Sequence, residues 1–167
     1  MFRVAVVVIF AILLMGQSTF AQFTSCNGGA NVGVRVMISN VPSTTTASTF
    51  GALPGASVSF KVPAGATRRF VVTFSGETRL IKNTTANNWI ELQVMDNGNL
   101  MQPQDITSPL AFASGNVYES HAATFCTTVT NTTGVAETHT ISVLWRVAGS
   151  GLTGWLDDWT LRLDVHK

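Results

Sequence analysis

Thr138-His139-Thr140-Ile141-Ser142-Val143-Leu144-Trp145-Arg146-Val147 alternates between two kinds of side chain along its whole length. His139, Ile141, Val143, Trp145 and Val147 share one face of an extended chain, and Thr138, Thr140, Ser142, Leu144 and Arg146 share the other. A period of two marks a strand with one side against a core and the other toward water.

The same period recurs on both sides of this stretch. Downstream, the loop from Gly149 to Gly154 leads to a last strand with Trp159, Leu161, Leu163 and Val165 inward and Thr160, Arg162 and Asp164 outward. Upstream, Val117, His121, Ala123, Phe125 and Val129 alternate with Tyr118, Ser120, Thr124 and Cys126. Ile90, Leu92 and Val94 share a face between Trp89 and Met95, as do Phe70, Val72 and Phe74 between Arg69 and Ser75. Val58, Phe60 and Val62 alternate with Ser57, Ser59 and Lys61. Nearest the N-terminus, Val32, Val34, Val36 and Ile38 oppose Gly33, Arg35 and Met37, and the reading turns Met37 outward, with Leu144 and Tyr118. Pro63 with Gly65, Asp96-Asn97-Gly98-Asn99 and Asn131 to Gly134 punctuate the strands as turns, and Pro42 to Thr49 reads as a loop. The expected fold is all-β: one two-sheet antiparallel β-sandwich of seven or eight strands. Jelly-roll-like order is preferred to immunoglobulin-like order, because Cys26 lies too near the terminus for a cysteine pair placed inside strands.

Composition agrees. The chain has 167 residues, 46% of them hydrophobic and only 11% charged. The densest apolar block, Val4 to Met15, follows Arg3 and precedes the small-residue stretch ending at Ala21. That order is the signature of a secretory signal peptide over residues 1–21, leaving 22–167 as one domain. Removing Arg3 from ten basic residues leaves nine against nine acidic ones. A balance near zero argues against nucleic acid and against anionic membrane surfaces as partners, and the apolar block is too short for membrane insertion. Residues 22–167 carry 21 Thr and 12 Ser, which favour strands over helices.

Cys26 and Cys126 are the two cysteines, and after export their simplest state is one disulfide pinning the N-terminus to the strand that carries Cys126. A lipidated Cys26 is the rival reading. Asn83 and Asn131 each open a glycan acceptor pattern.

No catalytic or cofactor motif is present. His121 and His139 fall on the apolar phase of their strands, so a structural role is favoured; were those strands paired with the rings opposite, they could hold a metal. The most distinctive stretch is Gly154-Trp155-Leu156-Asp157-Asp158-Trp159. Two adjacent carboxylates between indoles fit a hard cation such as calcium, or sugar hydroxyls with an indole stacked on the ring. The plainer reading makes Trp159 core and the aspartates turn caps, with alternation placing Trp155, Asp157 and Trp159 on one face. Glu77 or Glu91 would have to supply a facing carboxylate for glycoside hydrolysis. Trp89 is a candidate rim aromatic.

The run Glu137 to Val143, with the Gly-rich loop and Leu156-Asp157-Asp158-Trp159-Thr160-Leu161, resembles the closing strands of secreted jelly-roll domains such as galactose-binding-like carbohydrate-binding modules. That resemblance implies loop-end contacts to sugar or calcium from Trp155, Asp157 and Asp158. Trimeric jelly rolls of the C1q and tumour-necrosis-factor type are the other architectural relatives. The functional expectation is a secreted, non-enzymatic sandwich acting as an extracellular structural or adhesion-type module, with a protein surface or carbohydrate as partner and homo-oligomers allowed. A carbohydrate-binding module using Asp157 and Asp158 is the alternative, and a small secreted hydrolase using His121 or His139 the second.

Overall fold

The computed structural model describes Cys26 and residues 29–84, 87–104 and 109–167. The expected leader, residues 1–21, lies outside them. The strands are β1 (Asn31–Ser39), β2 (Ser43–Thr45), β3 (Gly51–Val62), β4 (Thr67–Ile81), β5 (Trp89–Asp96), β6 (Asn99–Leu100), β7 (Leu110–Ala113), β8 (Glu119–Thr130), β9 (Glu137–Ala148) and β10 (Thr153–His166). They form two antiparallel sheets. The first runs β1-β10-β4-β8, with β2 also paired to β10, and the second runs β3-β9-β5-β6, with β7 also paired to β5.

Successive long strands alternate between the sheets: β3 to β4, β4 to β5, β8 to β9 and β9 to β10 each cross from one to the other. Counting β1 with β2 and β6 with β7 as shared edge positions leaves two four-stranded sheets in jelly-roll order, as the sequence predicts. The count exceeds seven or eight because β2 lies within the stretch expected to be a loop, β6 continues the hairpin by two residues, and β7 (Leu110–Ala113) is a short strand on β5 that the sequence reading did not include. That hairpin is as expected. Asn97 (φ 47°) and Gly98 (φ 83°) are both left-handed, the requirement of a two-residue turn between twisted strands.

The core is the set of inward phases. Phe70, Val72 and Phe74 from β4, with Leu161, Leu163 and Val165 from β10, meet Ile90, Leu92 and Val94 from β5 and Ile141, Val143, Trp145 and Val147 from β9. Each such side chain stabilises the fold by roughly 1.5–3 kcal/mol when fully buried. One polar side chain completes the backbone bonding of β5. The Val94 N–H donates to Gln104 Oε1 (2.8 Å) and Gln104 Nε2 donates to the Leu92 carbonyl (2.9 Å), so a buried amide holds the edge left between β6 and β7. Backbone bonds between Gln102 and Cys126 (3.0 and 2.7 Å) tie this connection to the edge of the other sheet.

The Cys26–Cys126 disulfide is formed, with a Cα–Cα distance of 5.6 Å, so Cys26 is not a free lipidation site. Cys126 pairs with Val71, so its side chain lies on the outer face of the first sheet. Closing a loop of 100 residues there stabilises the fold by about 4–5 kcal/mol in the chain-entropy account.

Two expectations about side-chain phase are overturned. The first concerns β1. Gly33, Arg35 and Met37 pair with Val165, Leu163 and Leu161, and residues directly opposed across antiparallel strands share a face. The inner face of β1 is therefore Gly33, Arg35 and Met37, and the valines with Ile38 point outward. The reason is steric. A Cβ on Gly33 would stand 2.9 Å from Cε2 of Phe60, whose ring occupies the space beneath the strand. The second concerns β10. Its register against β4 breaks between Asp157 and Thr160, and Asp158 is left-handed (φ 44°), a bulge that shifts the phase by one residue. Leu156 and Trp159 are both buried, while Trp155 and Asp157 lie on the outer face.

Replacing Gln104 by leucine removes both bonds to β5 and leaves a buried N–H and a buried carbonyl unpaired. Chemical denaturation should show a loss of about 2 kcal/mol or more relative to the parent protein. An unchanged midpoint would show that the amide does not complete the sheet.

Candidate functional site

The outer face of the first sheet collects most of the residues of interest. In rows across β1, β10, β4 and β8, Val34 stands beside Asp164, Val71 and Cys126, and Val36 beside Arg162, Thr73 and Thr124. Ile38 stands beside Thr160, Ser75 and Ala122. The middle of the face is mostly small and hydroxylated. Its β1 margin is apolar: Val36 is 47% exposed and Ile38 72%, with Val32, Val34 and the following Val41 exposed as well. Among the described residues β1 pairs with β10 alone, so its other backbone edge carries no strand. Natural edge strands are usually blunted by lysine, proline or a covering segment, and Arg35, on the inner face, is the one charged residue of β1.

Beside the stripe, Arg162 donates to both carboxylate oxygens of Asp164 (2.7 and 2.8 Å). That bonding holds the Asp164 carboxyl below its usual range and raises the Arg162 guanidinium, keeping the pair ionised next to the valines.

The opposite corner of the face holds the aromatic–carboxylate stretch. Trp155 meets Tyr118 edge to face (centroids 4.9 Å apart), and the Arg79 guanidinium lies 5.1 Å from the Tyr118 ring centre. Arg79 is in turn fixed by donating from Nε to the Asn116 carbonyl (3.0 Å). Asp157 pairs across the strands with Glu77, so the carboxylate facing it is Glu77 rather than Asp158. Asp158 sits in the bulge and its N–H donates to Asp157 Oδ1 (2.8 Å). Asp157 and Glu77 thus share a face at this corner, with the exposed Asp158 beside them in the bulge. The other carboxylate considered, Glu91, is buried on the opposite sheet, accepting from Trp89 Nε1 (2.8 Å) and from Arg146 Nε.

The two histidines do not meet. His121 lies on β8 in the first sheet and His139 on β9 in the second, so the paired-ring metal site expected of neighbouring strands is not formed. His139 Nδ1 is 2.9 Å from the nearly buried Asp96 carboxylate, and its ring packs edge-on to Phe70. His121 Nε2 is 3.2 Å from Glu119 and its ring lies against Phe112. Among the described residues no group of three or more His, Cys, Asp or Glu is arranged to hold a metal ion. Asn131, one of the two glycan acceptors, is fully buried, and its amide donates to the carbonyls of Val62 and Val135, which removes it from glycan attachment in the folded state.

Sequence reasoning turned the β1 face the wrong way and missed Arg79 and Glu77 as neighbours of Trp155 and Asp157. Gly33, alone among bulkier residues in its strand, was the available signal for the first. The second arises from three elements with no fixed spacing.

A scan against protein-family models and a search of curated proteins each found no match for this chain. Fold and surface define it as a disulfide-bonded jelly roll with an exposed apolar edge strand. The disulfide belongs to an oxidising, non-cytoplasmic compartment. Among the described residues no helix is long and apolar enough to cross a membrane.

Proposed function

We propose that this protein is a secreted, non-enzymatic jelly-roll domain that serves as an extracellular structural component, pairing its β1 edge with β1 of a second copy. The observation that carries this reading is the coincidence, on one strand, of a backbone edge unpaired among the described residues and an outward stripe of Val32, Val34, Val36 and Ile38. Contiguous exposed apolar surface on a folded chain marks an association surface, and here the free hydrogen-bonding edge supplies the directional part of the contact.

The stripe is self-complementary. In an antiparallel pairing centred on Val36, Val36 meets its own copy and Val34 meets Ile38 of the partner, while Arg35 faces Met37. Centring on Arg35 instead would set two guanidinium groups opposite each other, which is unfavourable. A two-fold contact of this kind uses one patch twice and closes as a dimer.

A second reading is supported by the Trp155, Tyr118 and Arg79 corner with its facing Asp157 and Glu77: a half-buried indole and an exposed phenol ring on a sheet face, beside carboxylates that accept sugar hydroxyls. It makes the domain a carbohydrate-binding module, with calcium as a possible aid through Asp157 and Glu77.

Size-exclusion chromatography with light scattering tests the first reading. The protein should run at twice the chain mass, and Val36→Lys should raise the dissociation constant by about ten-fold or more, whereas Ser120→Lys, on the same face but the far strand, should not. A parent protein monomeric at all concentrations would reject it. For the second reading, a glycan array with and without a chelator should give binding that Trp155→Ala abolishes, and an array with no signal under either condition removes it.

A further inference from the structure

The side of β1 opposite the stripe frames an opening between the two sheets. β1 is the edge of the first sheet and β3 the edge of the second, and along this margin runs a cleft of about 420 Å³ lined by Arg35 and Phe60 from the inner phase and, around the edge of β3, by Ser59, Lys61 and Thr138 from the outer phase of the second sheet. Its walls are mainly apolar. Phe60 is their centre, half-buried with its ring edge-on to Phe70 (6.3 Å between centroids), which holds the ring against the core. Gly33 lets β1 pass close over that ring.

Two cations reach this cleft from different sheets. The Arg35 guanidinium carbon lies 5.7 Å from the Phe60 ring centre, and Lys61 comes from the next position on β3, opposite Thr138 on β9. Neither forms an ion pair with a carboxylate among the described residues, in which the ion pairs belong to His121, His139, Arg146 and Arg162. Arg35 spends one N–H on its neighbour's carbonyl, Val34 O (3.0 Å). The remaining guanidinium donors, the ammonium of Lys61 and the Thr138 hydroxyl are the polar groups a ligand would find. Among the described residues two cations thus stand without a carboxylate partner at the mouth of one apolar cleft.

We propose that this cleft is a binding site for a small amphiphilic anion, a carboxylate on an apolar body. The apolar part lies on Phe60, and the carboxylate is gripped by Arg35 from one sheet and Lys61 from the other. The volume is at the lower end of small-molecule sites, which fits one short chain or ring rather than a polymer. Guanidinium binds carboxylate through parallel N–H groups and ammonium adds a point charge, so the anionic end is recognised by both geometry and charge. The site lies on the face of β1 opposite the association stripe and shares Arg35 with the proposed β1 to β1 contact.

Octanoate and 1-octanol, matched in chain length, are the probes. Titration of the protein followed by calorimetry and by the Phe60 ring resonances should show octanoate binding saturably at one per chain, with 1-octanol about ten-fold weaker or more. The Arg35→Gln, Lys61→Gln double variant removes two cations that have no carboxylate partner among the described residues, so it should keep its fold by circular dichroism. It should lose about ten-fold in octanoate affinity and bind 1-octanol as the parent does. Absence of saturable octanoate binding would overturn the proposal, as would equal affinity for the two probes, an unaffected double variant, or resonance changes confined to Val34, Val36 and Ile38.

Discussion

Phe60 beneath Gly33 is the contact on which the surface of this protein depends. A jelly roll needs its two sheets to meet at their edges, and at the β1 to β3 margin the interior is filled by one aromatic ring. A strand laid over that ring can place only a hydrogen there. Glycine at 33 satisfies this, and the period of two then sends every even-numbered residue from Val32 to Ile38 toward solvent. The inward partners of β1 are the fully buried Leu161, Leu163 and Val165 of β10, while Met37, though on the same side, remains partly open to solvent at the sheet's edge. The same contact creates both surfaces argued above, an apolar stripe outside and a cleft inside with Arg35 at its lip.

β10 distributes these consequences along the molecule. It pairs with β1, β2 and β4, so its phase is the phase of the first sheet. The bulge at Asp157 and Asp158 lets one strand serve two ends that would otherwise disagree: Leu163 and Leu161 face inward after it, and Leu156 faces inward before it. Without the extra residue, Trp155 would lie in the core and Leu156 outside. Aspartate is one of the few residues other than glycine that enters the left-handed region readily, which accounts for Asp158, and Asp157 accepts the N–H of Asp158 at the same bulge. The bulge also sets Asp157 opposite Glu77 and aims Trp155 toward Tyr118.

Much of the frame was legible in the sequence, for a physical reason. In Thr138 to Val147, as in the strands carrying Phe70 and Leu161, the apolar phase and the buried phase are the same, so pattern alone identifies the inner face. The Asn97-Gly98 turn was equally plain, since only a few residues accept two successive positive φ angles. β1 was not legible in this way, because alternation tells which residues travel together and leaves open which set faces the core. That choice is made by a ring 27 positions away in sequence, on the other sheet. Gln104, standing in for a strand, and the Trp155, Tyr118 and Arg79 corner likewise depend on chain crossings that no local spacing records. The candidate site was therefore half visible: Trp155 and Asp157 were named, whereas Glu77 was considered only as a catalytic partner and Arg79 was not considered.

Association through the β1 edge is tested most directly by amide hydrogen exchange measured over a range of protein concentrations. The β1 amides that are not bonded to β10 should exchange freely in dilute solution and become protected as concentration rises, while protection in β8 stays constant. Exchange of those amides that is independent of concentration, in a protein whose remaining strands are fully protected, would contradict it.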